Sequence, residues 1–428
     1  MRRRTFLNGL GLTSAAAILE PTMTLDRLAA ASNRVAGTTA TDAASDEPFW
    51  REVQQSFSVS RSVINLNSAG LCASPKVVTD AVTTLMLEQE RLPSYTAFTT
   101  FPEEIENIRT ALARLFGSDP EELALVRNTT EALQTVLLGV PLGPGDEILS
   151  TTHDYWAMRD ALRQRQRRDG VAVTLVSVPV APASMDELVQ AFADGITSRT
   201  RLILLSEMVN LTGQIFPIRE ICDLAHSKGI DVVVDGAQSF GQIETRIEDL
   251  GCDYYGTSLH KWLMAPKGTG MLYMRRDRIE PAWPLLPPPD GMDSDIRKFE
   301  ALGTIPSTSL AIGEAIAFHD GIGGDRKEER FRYLTNHWVD QVRDVPNLHF
   351  RTVFEPEMSC AIATVDVDGV EPGALVRHLW DEHRILVTNA STRADNVRGV
   401  RVSPSLHNTL EELDVFAGVL TDIARRGI

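Results

Sequence analysis

The sequence predicts an α/β protein, with a large domain built on a mainly parallel seven-stranded sheet and a smaller C-terminal α/β domain. Two patterns carry this expectation. From Leu123 to Met274 short apolar runs alternate with amphipathic stretches, as strands do when crossover helices cover both faces of their sheet. The Pro-rich stretch Pro284 to Pro289 closes that block, and a helical pattern near Ile312 to His319 leads into a second unit ending in the helical run Glu411 to Arg425. The 428 residues, 43% hydrophobic and 23% charged, are enough for two ordinary domains and exclude disorder for most of the chain.

The elements follow in order. Residues 1–31 read as a targeting segment: Arg3-Arg4-Thr5-Phe6-Leu7 resembles a twin-arginine export signal, the following stretch to Leu19 is mildly apolar, and Ala29-Ala30-Ala31 offers small residues for cleavage. A periplasmic or exported protein is expected; a short N-terminal helix on a cytoplasmic protein is the alternative. Residues 32–48, mostly Ala, Thr, Ser, Asp and Gly, read as a linker. Helical periodicity covers Pro75 to Arg91 and Glu103 to Phe116. Strands are expected at Leu123 to Val126, Glu147 to Ser150, Val171 to Val178, Arg201 to Ser206, Asp231 to Val234, Cys252 to Thr257 and Thr269 to Met274. Helices at Asp154 to Arg168, Met185 to Ala193 and Ile218 to Lys228 separate most of them. A sheet of this kind binds ligands beyond the carboxyl ends of its strands.

Composition removes several functions. The 42 Lys and Arg against 58 Asp and Glu give a net charge of −16, which repels nucleic acid and anionic lipid. No run reaches the roughly 18 to 20 apolar residues of a spanning helix, so no stable membrane insertion is expected. Cys72, Cys222, Cys252 and Cys360 are scattered without metal-ligand spacing and read as buried thiols.

One lysine stands out. Lys261, in Ser258-Leu259-His260-Lys261-Trp262, lies at the exit of a buried strand, where an unpaired ammonium is costly to desolvate. A Schiff base removes that cost and uses the amine as a nucleophile. Asp235, in Asp235-Gly236-Ala237-Gln238, ends the strand Asp231 to Val234. A lysine with such an aspartate meets the needs of pyridoxal 5'-phosphate (PLP), one for the carbonyl and one for the ring nitrogen.

With these residues in place, the chain from about Asn65 to Thr409 resembles the class V aminotransferases of PLP fold type I, especially isopenicillin N epimerase-like and selenocysteine lyase-like members. The resemblance implies PLP as cofactor, an arm at 49–74 packing on the small domain, a large domain at 75–310 and a small domain at 311–428. It implies that Asn128-Thr129-Thr130-Glu131-Ala132 is the phosphate loop, with Thr129 and Thr130 at a helix N-terminus suited to an anion. It also implies that Asn210 and Gln238 neighbour the phenolic oxygen and that Ser258 and His260 make phosphate-side contacts. Tyr155 would stack on the ring with His153 behind it, and Arg401 would grip a substrate carboxylate through its guanidinium fork. Gly303-Thr304 resembles the segment that reaches a neighbouring subunit's phosphate, implying a homodimer with shared sites.

Departures narrow the function. Cysteine desulfurases carry a catalytic cysteine shortly before the arginine, whereas Thr388 to Val400 contains none, and Cys360 lies too early, in the run Ser359 to Ala363 that reads as a buried strand. Glu207 stands where the family commonly has histidine, and a carboxylate there is expected to alter the charge near the ring. Gly268-Thr269-Gly270 is not a dinucleotide fingerprint, and the absence of glycine from Asn128-Thr129-Thr130 counts against a dehydrogenase. The expected function is PLP-dependent chemistry on an amino acid or other amine, with epimerase, transaminase and lyase outcomes open. A C–S or other β/γ lyase without a catalytic cysteine is the alternative, and a cofactor-free binding protein on the same scaffold is the non-enzymatic one.

Overall fold

Residues whose side chains are apolar on both faces of a strand can be buried only in the middle of a layered sheet, and most of the seven runs between Leu123 and Met274 do this, the edge run Ala172–Val176 staying only half-buried. In a computed structural model, which describes residues 22–301, 303, 306–391 and 397–428, they form strands β2 (Leu123–Val126), β3 (Glu147–Thr151), β4 (Ala172–Val176), β5 (Thr200–Ser206), β6 (Asp231–Asp235), β7 (Tyr254–Ser258) and β8 (Gly270–Met274). Their order in one sheet is β2-β8-β7-β6-β5-β3-β4. Neighbours from β7 to β4 pair in parallel, and β8 runs antiparallel to both β2 and β7. The reversal at β8 follows from length: Leu259 to Thr269 is too short for a crossover helix, so the chain turns back at the carboxyl edge of the sheet and leaves Lys261 there.

The helix Thr129–Gly139 buries Ala132, Leu133, Val136 and Leu137 against this sheet. It approaches β7 closely because Gly256 has no side chain; a Cβ there would lie 2.7 Å from Leu133 and 2.9 Å from Ala132.

The smaller domain carries an antiparallel sheet of β9 (Leu348–Phe350), β10 (Ala363–Val367), β12 (Thr388–Asn389) and β13 (Val400–Val402), ordered β12-β13-β10-β9. Trp338 and Phe416, from the helices Gly324–Val342 and Leu410–Arg426, pack edge to face against each other in its core. The arm reaches this domain: β1 (Ile64–Asn65) pairs in parallel with β11 (Ile385–Leu386), and Ser68 and Ser403 continue the ladder through Ser68 N to Ser403 O at 3.0 Å.

Three expectations are corrected. The linker at 32–48 is instead largely helical, within Thr22–Arg34, Ala40–Ala44 and Glu47–Gln55. Leu28, Ala31 and Val35 form a buried stripe at helical spacing, and Arg330 pairs with Glu47 while donating to the Ala44 carbonyl at 2.8 Å. Small side chains suffice for such a stripe, so an average over composition hides it. The second correction is the domain boundary at 310/311. The helix Ile312–Ile322 packs into the large-domain core, and the change of core falls inside Gly324–Val342, where Phe331 joins the large core and Leu334 and Trp338 the small one. Third, Cys360 is buried but precedes β10, so the run Ser359 to Ala363 is strand only from Ala363. The twin-arginine motif and Thr304 lie outside the described residues. No described helix is long and apolar enough to cross a membrane.

Candidate active site

The carboxyl ends of β5, β6 and β7, the N-terminus of Thr129–Gly139, the arm and β13 converge on one cavity of about 360 Å³, a size suited to a small molecule. Thr129, Thr130, Tyr155, Asn210, Asp235, Gln238, Ser258, His260, Lys261 and Arg401 all line it. His153 is buried but is not part of the wall. The turn before Trp156–Asp169 is fixed by Asp154 instead, whose Oδ2 accepts from Ser150 Oγ and Thr151 N, both at 2.8 Å, and whose Oδ1 accepts from Ser206 N at 2.8 Å. That anchoring leaves Tyr155 as the aromatic residue of this turn in the wall.

Asp235 closes β6, and the turn after it is tight because Gly236 lies against Tyr255, whose hydroxyl would be 1.9 Å from an added Cβ. Asp235 Oδ1 accepts from Ala237 N at 2.9 Å. Burial pushes its carboxyl up to about 6, while the Ala237 N–H and the Lys261 charge pull the other way.

At the opposite group of residues, the Asn128 side chain caps the helix by accepting from Glu131 N at 2.9 Å. Thr129 N donates to Ser258 Oγ at 2.9 Å, and the two hydroxyls lie 2.7 Å apart. Glu131 would repel an anion, but it is neutralised by Arg127 at 2.9 Å. His260 Nδ1 lies 3.0 Å from the Thr269 carbonyl; a carbonyl only accepts, so Nδ1 carries the proton. Burial and the neighbouring Lys261 and Lys267 charges push His260 down to about 4, leaving the ring neutral at pH 7.

Arg401, in β13, is buried and donates to the Asn210 carbonyl and to Asn67 Oδ1, each at 2.8 Å. Arm, large domain and small domain therefore hold one guanidinium together. Gln238 is similarly committed: Trp262 Nε1 donates to its Oε1 at 2.8 Å, and its Nε2 donates to the Ala69 carbonyl at 2.9 Å.

Glu207 does not alter the cavity's charge as the sequence suggests. Continuing the period-two alternation of β5, Ser206, Met208 and Asn210 line the cavity and Glu207 points away. It accepts from Ser239, from Tyr255 at 3.1 Å and from Thr245 at 3.3 Å. Burial pushes Glu207 up to about 7 from an ordinary 4.5. A raised carboxyl favours folding where it is protonated, and that contribution is lost as pH rises through the folded value. At about 1.4 kcal/mol per unit, wild type is expected to lose on the order of 3 kcal/mol from this group between about pH 4.5 and 7. Glu207→Gln should lack that component. Denaturant midpoints of both proteins at pH 5 and 8 check it, and equal pH dependence would contradict it.

The donor set fits PLP. Hydroxyls gathered at a helix N-terminus suit a phosphate, a desolvated carboxylate suits a protonated ring nitrogen, and a lysine amine suits the carbonyl carbon. Sequence reasoning missed Asn67, Gly70, Ser206, Met208 and Thr388 in the wall. The polar and small run Asn67-Ser68-Ala69-Gly70, set directly after apolar Leu66, could have flagged the first two.

A family profile described as Aminotransferase class-V matches residues 64–416. Isopenicillin N epimerase from Streptomyces clavuligerus is 31% identical over 389 residues, covering 87% of this chain and 97% of that protein. Isopenicillin N epimerase from Amycolatopsis lactamdurans is 32% identical over 396 residues, covering 88% and 99%. Among solved structures, the cystine C–S lyase C-DES in complex with its product cysteine persulfide superposes with a TM-score of 0.78 at 23% identity, covering 85% of this chain and 98% of that one. This last likeness is one of fold.

Proposed function

The chain belongs to the class V aminotransferase family of PLP enzymes, and we propose that it acts on an amino acid, removing and returning the α-carbon proton as an epimerase does. The observation that carries this reading is a cavity lined by Lys261, Asp235 and Arg401 and, among the described residues, by no cysteine. PLP, when bound, supplies a carbonyl carbon for amines and a ring that accepts electron density from the α-carbon. Thr129, Thr130, Ser258 and His260 would hold the phosphate, and Asp235 would hold a proton at the ring nitrogen. Arg401 orients the substrate carboxylate through two parallel hydrogen bonds. Lys261 Nζ would be the amine that holds the cofactor's carbonyl carbon and the group placed to carry the proton of the substrate's α-carbon.

The likeness in fold to a C–S lyase supports elimination of a β or γ substituent as a second reading. Persulfide chemistry through a cysteine of this chain has little support: all four thiols are buried, and burial pushes Cys360 far above its ordinary range. Incubating the PLP-loaded protein with L- and D-amino acids in D₂O, followed by chiral chromatography and mass spectrometry, tests both readings. Deuterium at the α-carbon with inverted product supports the first; a keto acid with ammonia and a released thiol or sulfide supports the second. No exchange or product from any amino acid would overturn both. Arg401→Lys is expected to raise KM about 10- to 100-fold while leaving PLP affinity unchanged, because a point charge replaces a fork. Equal loss of both would make Arg401 structural.

We further propose a homodimer with sites shared through Gly303-Thr304, and export directed by Arg3-Arg4-Thr5-Phe6-Leu7. Sedimentation of holo and apo protein over a dilution series tests the first, and a reporter fused to residues 1–32, with and without both arginines, tests the second.

A further inference from the structure

Lys327 carries an unusual burden for a residue outside the cavity. It lies in the helix Gly324–Val342 and is 1% exposed, yet among the described residues no carboxylate is within ion-pairing distance of it. Its ammonium donates to the carbonyl of Trp262, the residue after Lys261, and lies 3.3 Å from His319 Nδ1 and 5.9 Å from the centre of the Phe331 ring. Burial pushes Lys327 down to about 7 and His319 well below its ordinary value, so the imidazole is neutral. A buried charge without a counter-charge is expensive, and a neutral donor would satisfy one carbonyl more cheaply.

The turn that receives this donor is strained. Met264 has φ 63° and is fully buried, a left-handed conformation that is strained for a residue with a side chain. The turn is closed by Lys261 N to Ser258 O at 3.2 Å, Met264 N to Lys261 O at 2.9 Å and Ala265 N to Leu259 O at 3.0 Å. Its other side is equally confined, since a Cβ on Gly241 would come within 2.8 Å of Leu263 N and 3.0 Å of the Trp262 carbonyl carbon. The Trp262 ring is fixed as well, at its Nε1 by Gln238 and by an edge contact with Phe331, centroids 5.0 Å apart.

We propose that Lys327 is a positioning residue for the reaction: its buried hydrogen bond to the Trp262 carbonyl holds the strained turn and thereby the direction in which Lys261 enters the cavity. The amine donates this bond in either protonation state, and when protonated its charge makes the bond roughly twice as strong as a neutral one. The inference rests on the reading of Lys261 as the amine that carries the cofactor.

The test uses full-length Lys327→Met, which keeps the length and apolar stem of the side chain and removes the donor. PLP content and thermal midpoint are measured first, then circular dichroism in the cofactor's visible band, amide exchange of the peptide spanning 258–265, and steady-state kinetics. Borohydride labelling with peptide mapping is run on both proteins. The expected result is near-stoichiometric PLP still reduced onto Lys261, visible dichroism cut by about half or more, faster exchange in 258–265, and kcat lowered at least about tenfold with KM within about threefold, as follows from misplacing a reacting group. Lys327→Arg, which keeps charge and donors, should restore dichroism and most of kcat. If Lys327→Met does not fold, Lys327→Gln is read in its place, with the same signs. Wild-type dichroism, exchange and kcat in a folded variant lacking the ammonium would overturn the proposal. A wild-type label on a lysine other than 261 would instead overturn the reading on which it rests.

Discussion

Lys261→Ala is expected to abolish covalent attachment of PLP and to lower turnover by at least about 10³-fold, the loss of a nucleophile and of a proton carrier in one side chain. Lys261 is the lysine in the cavity wall, and its neighbours are engaged elsewhere. Lys267 donates to the Cys72 carbonyl at 2.7 Å and to Ser74 Oγ at 2.9 Å, and Lys327 donates to the Trp262 carbonyl. Neither can replace the missing amine without breaking the hydrogen bonds it already makes. The residues proposed to hold the phosphate do not include Lys261, so the variant should still bind PLP reversibly. Borohydride reduction followed by peptide mapping should label wild type at residue 261 and the variant nowhere, and small primary amines added in solution should restore part of the rate. A variant labelled at another lysine with undiminished turnover would remove Lys261 from the mechanism.

The legible parts of the protein are those where local chemistry and tertiary role coincide. Val232, Val233 and Val234 are β-branched and fully buried on both faces, so their run announces a central strand, and the Asp235 that ends it can only sit at the strand's carboxyl edge. Lys261 is legible for the same reason one strand over. Partnerships made across the fold are not: Arg401 and Asn67 are 334 residues apart when they meet, and neither residue's neighbourhood announces the other. Glu207 shows the opposite failure. Its place next to cavity residues is visible in the sequence, but the alternation that turns it toward Ser239 and Tyr255 is fixed only by the register of Ser206 with Asp235 in the sheet. The helices between Thr22 and Gln55 were obscured because alanine buries well on a helix yet reads as linker composition when averaged with Thr, Ser and Asp.

Asp235→Asn is expected to keep the fold and most PLP affinity while lowering kcat by about 10²- to 10⁴-fold, the range for loss of a group that controls a proton in catalysis. Asparagine has the same shape, and its Oδ1 can still accept from Ala237 N, the bond that now closes this turn at 2.9 Å. What disappears is charge at Oδ2. In wild type the carboxylate is buried and more basic than usual, with its carboxyl at about 6, because it has lost water and has one N–H in exchange. Such a group gains more from a cationic N–H beside it than an exposed aspartate would, since the desolvation already incurred is offset by the ion pair. An amide cannot hold a proton on the ring nitrogen at neutral pH. The ring then accepts electron density from the α-carbon poorly, and removal of the α-proton by Lys261 becomes slow. The loss should therefore fall on kcat and on α-carbon deuterium exchange together, with KM for the amino acid little changed because Arg401 is untouched. Asp235→Glu separates charge from position: the added methylene moves the carboxylate further into the cavity that Asp235 lines, away from the place where it meets the ring nitrogen, so charge alone should not restore the rate. Exchange at the wild-type rate in Asp235→Asn would mean that the ring nitrogen's proton is held by another group.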